Sequence, residues 1–124
     1  LSSPWRRSER HVGRAHLRPF RDRAGGGAPA PDRLISGDPR FRTWNFEEAA
    51  GGLYAGVWES TPDKWRIVYE EWEYFHILEG YSIVTEEGGE AFHLRAGDRL
   101  VLRPGFKGSW EVVETTRKDY VIRL

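Results

Sequence analysis

The stretch that decides the fold runs Trp65-Arg66-Ile67-Val68-Tyr69, then, after Glu70-Glu71-Trp72, Glu73-Tyr74-Phe75-His76-Ile77-Leu78-Glu79-Gly80 and Tyr81-Ser82-Ile83-Val84-Thr85. Period-two alternation of apolar and polar residues marks half-buried β-strands. In the first run Trp65, Ile67 and Tyr69 alternate with Arg66, Val68 and Glu70, which places the first set inward. In the second, Glu73, Phe75 and Ile77 share one face, with Tyr74, His76 and Leu78 on the other. A carboxylate therefore points into an aromatic interior, and Glu73 is the residue to explain.

Working outward, short runs with the same character recur at even spacing. Candidate strands are Leu53 to Ser60, Trp65 to Glu70, Glu73 to Leu78, Tyr81 to Thr85, Ala91 to Arg95, Arg99 to Leu102, Ser109 to Val113 and Lys118 to Arg123. Between them lie Thr61-Pro62-Asp63, Glu79-Gly80, Glu87-Gly88-Gly89, Ala96-Gly97-Asp98 and Arg103-Pro104-Gly105, the residue types that tight reversals require. Upstream, Arg33 to Ser36 reads as an extended lead-in ending at the Gly37-Asp38-Pro39 turn. A short helical turn is expected at Phe46 to Ala50, with Asn45 as cap and Glu48 closing a capping box. No segment carries a long 3.6-residue apolar period, so βαβ units are excluded and an all-β sandwich or barrel follows.

A chain of 124 residues with six Trp, six Phe and five Tyr has the material for one core. Zero Cys excludes disulfide scaffolds, thiolate metal sites and cysteine nucleophiles. No apolar run reaches the roughly 20 residues of a membrane span, and the N-terminus lacks the apolar core of a secretory signal. The expectation is a soluble cytoplasmic protein with no membrane partner. Charge sums to zero but is partitioned: residues 1 to 30 carry seven Arg against Glu9 and Asp22, and the remainder carries 12 basic and 17 acidic residues. The first segment, which includes Gly25-Gly26-Gly27, is expected to be a disordered Arg-rich arm, with the folded domain over residues 31 to 124. The acidic balance of that domain argues against a nucleic-acid partner.

Two strings carry a family resemblance. Glu73 to Gly80, a Glu followed seven positions later by Gly, resembles the end of the first cupin motif. Gly97-Asp98-Arg99-Leu100-Val101-Leu102-Arg103-Pro104-Gly105 resembles the start of the second. More narrowly, Gly56-Val57-Trp58-Glu59-Ser60, Phe106 to Val112 and Arg117-Lys118-Asp119-Tyr120 resemble the branch that includes the cupin domain of (S)-ureidoglycine aminohydrolase. The resemblance covers about Asp32 to Leu124. It implies a double-stranded β-helix, or jelly-roll barrel, that binds a small polar metabolite and pairs as a homodimer. If the protein is an enzyme, it implies hydrolase- or lyase-like chemistry. The alternative is a non-catalytic binding or structural dimer module.

Cupins commonly hold a divalent metal with an HxH pair, the first-motif Glu and a second-motif His. The corresponding positions here are Ile67, Tyr69, Glu73 and Gly108, so only the Glu is retained. No metal ligand set is assigned, and a divalent cofactor is not favoured because one carboxylate offsets too little of the ion's desolvation. His76 and His93 alternate away from the inward faces. Without a metal, Glu73 must either ionise against a partner or stay protonated. The candidate partners are Tyr69, Lys107, Arg103 and Lys118. In one role Glu73 is a general acid or base; in the other it closes the barrel mouth through hydrogen bonds alone. The expected pocket walls are Ile67, Tyr69, Phe75, Gly108, Trp110 and Tyr120, with Arg103 and Lys107 at the rim. Gly108 either widens the cavity or admits a close backbone.

Overall fold

A computed structural model describes residues 24–124, and among these no helix forms. Nine strands make one strongly curled sheet: β1 (Gly25–Gly27), β2 (Leu34–Ser36), β3 (Phe41–Ala49), β4 (Leu53–Ser60), β5 (Asp63–Val68), β6 (Trp72–Glu86), β7 (Ala91–Arg95), β8 (Arg99–Leu102) and β9 (Lys107–Arg123). Hydrogen bonding runs in the order β1-β3-β4-β9-β5-β2, while β6 pairs with β7, β8 and β9, all antiparallel. This is the all-β architecture the alternation implied, of the jelly-roll type the resemblance implied.

Two long strands organise the barrel. β9 pairs with β5 over its first part, with β4 over its last part, and with β6 along almost its whole length. The runs Glu73 to Leu78 and Tyr81 to Thr85 are one strand, and so are Ser109 to Val113 and Lys118 to Arg123. Gly80 explains the first fusion. The register of β6 against β9 shifts on either side of it, its φ is 95°, and a Cβ there would lie 2.1 Å from the Thr115 carbonyl oxygen. The glycine marks an irregularity that bends the strand without ending it.

The helical turn expected at Phe46 to Ala50 is not formed. Those residues extend β3, with Glu47, Glu48 and Ala49 opposite Ala55, Tyr54 and Leu53. Asn45 does reach Glu48, its Nδ2 donating to Oε1 over 3.1 Å, but the pair spans a register shift in the strand. Glu and Ala favour helix locally, yet Gly51 and Gly52, both at positive φ, turn the chain back so that β3 and β4 form a hairpin. Gly25 to Gly27, expected within the arm, pair with Thr43, Arg42 and Phe41. Backbone hydrogen bonds need no side chain, and β3 offers an open edge for them. The remainder of the expected arm, residues 1–23, lies outside the described residues.

The core contains Trp65, Ile67, Phe75, Ile77, Val84, Leu94, Leu102, Trp110, Val112 and Tyr120. Trp65 and Trp110 are cross-strand partners whose rings stack at 6.3 Å, and Phe75 approaches Trp110 at 5.2 Å. Trp110 also donates its indole N–H to Ser82 Oγ, 3.1 Å away, which meets Thr116 Oγ1 at 2.7 Å. These polar atoms are buried in mutual contact, so the core keeps them at little cost.

Candidate functional site

The inner face of the sheet brings three rows together. Glu73 lies opposite Ile122, Phe75 opposite Tyr120, and Ile77 opposite Lys118, which on its other side faces Trp58 of β4. Glu73 and Lys118 are therefore two rows apart, and their long side chains close the gap over the aromatic row between them. They meet at the floor of an open cavity of about 280 Å³, walled by Phe41, Trp58, Trp65, Tyr69 and Trp110.

Glu73 is 1% exposed and Lys118 5%. Tyr69 Oη donates to Glu73 Oε1 over 2.5 Å, and Lys118 Nζ stands 2.8 Å from Oε2. That ammonium is off the line of a well-formed hydrogen bond, so Oε2 has an ionic partner but no aligned donor among the described residues. Three rings also face the ammonium, with centroids 4.7 Å (Trp58), 4.6 Å (Phe75) and 4.5 Å (Trp110) away. Negative ring faces and a carboxylate attract a cation together, which offsets part of the cost of burying it. Burial is the main cause that raises the Tyr69 phenol well above its ordinary value near 10, helped by the Glu73 charge, the hydrogen bond to Glu73 and the Glu71 charge. Tyr120 donates to Asn45 Oδ1. Its phenol is pushed up to about 12, first by burial and then by Glu73 and Glu48. Both hydroxyls are thus held as donors at neutral pH.

Of the four candidate partners for Glu73, the structure brings Tyr69 and Lys118 to it. Ile67, Tyr69, Trp110 and Tyr120 line the cavity, and Phe75 packs beneath it. Arg103 and Lys107 do not reach it. Arg103 lines a separate hollow beside Phe92 and Pro104. Lys107 lines another beside Glu86 and Gly108, and it is exposed opposite the exposed Val68, on the outer side of the sheet. Gly108 is opposite Ile67 and Glu86, and a Cβ there would lie 1.9 Å from the Thr85 carbonyl oxygen, so close backbone approach is its role. The sequence reading missed Trp58 and Phe41 as walls. Trp58 stood within the expected strand Leu53 to Ser60, but its place beside Lys118 depends on the register of β4 on β9.

The donors do not fit a divalent metal. Ile67, Tyr69 and Gly108 stand at the positions of the three cupin histidines, and no group of three His, Cys, Asp or Glu converges among the described residues. The place beside Glu73 that a cation would take is held by an ammonium.

Residues 47–120 match the model of the EutQ-like cupin domain. The chain belongs to this cupin family. The cupin is similar to a protein of unknown function of the DUF861 family from Pseudomonas syringae pv. tomato, with TM-score 0.73 and 26% identity over 84% of this chain and 46% of that one. The cupin thus spans less than half the length of that relative. It shares its fold with the EutQ protein of Clostridium difficile (TM-score 0.62, 18% identity, 78% and 73% of the two chains). It shares it also with ectoine synthase from P. lautus (TM-score 0.60, 17% identity, 74% and 68%). No curated protein matches the sequence. Among the described residues, no helix of the cupin is long and apolar enough to cross a membrane.

Proposed function

We propose that this cupin domain binds a small polar metabolite in its barrel, in a site similar to those of ureidoglycine aminohydrolase-type cupins but built on an ion pair in place of a metal. One observation carries the reading. A carboxylate and an ammonium lie buried together at the floor of an open, aromatic-walled cavity, and one carboxylate oxygen lacks an aligned donor. A buried charge with unfilled hydrogen-bonding capacity is costly in a fold that needs only packing, and ligand sites are where such groups collect. In this reading Glu73 accepts hydrogen bonds from ligand N–H groups and is placed to take or return a proton, with Tyr69 holding its orientation.

The second reading, a non-catalytic module in which the pair only braces β6 against β9, is favoured by the same closeness of Glu73 and Lys118. As a cytoplasmic homodimer the protein would present two such cavities. Titration of a panel that spans charge patterns, N-carbamoylglycine and related ureido acids together with short zwitterions such as 4-aminobutyrate, against the fluorescence of the wall tryptophans separates the readings. Saturable quenching by any of them that weakens tenfold or more in Glu73→Gln supports ligand binding; flat traces with every compound and folded protein support the bracing module.

A further inference from the structure

We infer that the Glu73–Lys118 pair selects a compact zwitterion, a molecule of amino-acid size carrying a cation and a carboxylate on one short chain. The inference rests on the reading of the cavity as a ligand site and deepens it by naming the charge pattern of the ligand.

The two charges are fixed and differently equipped. Oε1 of Glu73 is occupied by the Tyr69 hydroxyl, whereas Oε2 has no aligned donor among the described residues. A ligand N–H that reaches Oε2 supplies what is missing there. Lys118 is held by three ring faces and one carboxylate oxygen, and an ammonium carries three donors that ring faces satisfy only weakly. A ligand carboxylate at Nζ gives it the charge-assisted hydrogen bond it lacks.

A single ligand charge cannot use the site well. Glu73 and Lys118 are 2.8 Å apart, so a carboxylate placed on Lys118 also stands within a few ångströms of Glu73, and Glu71 adds a further acidic group to the wall. An isolated cation on Glu73 meets Lys118 in the same way. In a low-dielectric cavity those like-charge terms are of the same order as the attraction. A zwitterion laid antiparallel to the pair puts each of its charges beside the opposite one, and the four charges alternate in sign. The cavity of about 280 Å³ has room for such a molecule, and Phe41, Trp58 and Trp65 offer its methylene chain an apolar wall.

The test is a charge series of closely matched length titrated calorimetrically into the full chain: 4-aminobutyrate, with both charges; pentanoate, with only the anion; and pentylammonium, with only the cation. The expected result is saturable binding of 4-aminobutyrate at least tenfold tighter than either single-charge analogue. In the double variant Glu73→Gln/Lys118→Met, which removes both charges and leaves neither unpaired, that preference disappears while circular dichroism shows the β fold. Binding of pentanoate or pentylammonium as tight as that of 4-aminobutyrate overturns the inference and leaves the ligand-site reading standing. So does saturable binding of N-carbamoylglycine when none of the three compounds binds. Silence from all four compounds overturns both. If the double variant does not fold, the series on the wild-type chain decides alone.

Discussion

Glu73 shows how far a single residue can be read. Alternation with Phe75 and Ile77 placed it inward, and the structure buries it at 1% exposure. Alternation could not choose its partner among Tyr69, Arg103, Lys107 and Lys118, because that choice depends on which strands lie side by side. Lys118 is 45 positions downstream and reaches Glu73 only because β9 lies against β6. The pair predicts an asymmetry between single and double variants. Lys118→Met leaves the Glu73 charge buried without its counterion and should cost about 3–5 kcal/mol, read as a lower urea midpoint. Adding Glu73→Gln to that variant should recover most of the loss; a double variant no more stable than Lys118→Met would deny that the charges compensate each other. The tyrosines predict an alkaline limit. Their folded-state values lie above the unfolded value of about 10, so the folded form binds more protons. The stability this confers is complete below pH 10 and is lost as pH rises through about 12, where Tyr120 ionises. Ultraviolet titration should show tyrosine absorbance still rising well above pH 10 as Tyr120 and Tyr69 ionise, and a titration complete near the ordinary value would contradict the burial of both phenols.

At the scale of elements, β4, β7 and β8 were legible to the residue, because each is a short run rich in β-forming residues and closed by turn residues. β3 was not. Its Glu-Glu-Ala-Ala end has helical propensity, and the hairpin through Gly51-Gly52 overrides it. That double glycine was the available signal. The fusions within β6 and β9 escaped for a related reason: Gly80 reads as a turn, and only the neighbouring strand shows that the chain continues through it. Gly80 and Gly108 therefore carry an element-scale prediction. A Cβ at either position would lie about 2 Å from a backbone oxygen that cannot move aside, at 2.1 Å and 1.9 Å respectively. Alanine at either should cost at least the 1–3 kcal/mol typical of overpacking, roughly, by urea unfolding. Gly88→Ala is the control. Its φ of 70° is positive like the 95° of Gly80, but nothing lies within 4 Å, so about 1 kcal/mol is expected. Equal losses at Gly80 and Gly88 would mean that backbone conformation, and not close approach, sets the cost at Gly80, while Gly108, which has no positive φ, reads close approach alone.

For the whole molecule, the sheet ends in short strands: β1 and β2 have three residues each, β8 four and β7 five. Short edges limit what another chain can pair with, so the homodimer we propose should form through sheet faces, where Leu53, Leu78 and Val113 are exposed. Light scattering should give twice the mass of a chain, and Leu78→Lys should shift it towards the monomer if that face is used. The barrel itself was readable from one chain because strand spacing, turn chemistry and alternation agree with each other. The site was only half readable, since Glu73 and its four candidate partners could be named but which cation meets it, Lys118 and not Arg103 or Lys107, depends on the register of β9 on β6.

The central claim is that Lys118, and not a metal ion, is the cation of this cavity. Elemental mass spectrometry of protein purified without chelator or affinity metal, run beside Glu73→Gln, tests it most directly. The account predicts trace Mn, Fe, Ni and Zn in both proteins. Near-stoichiometric metal in the wild type that falls in Glu73→Gln would contradict it and return the site to metal-dependent cupin chemistry.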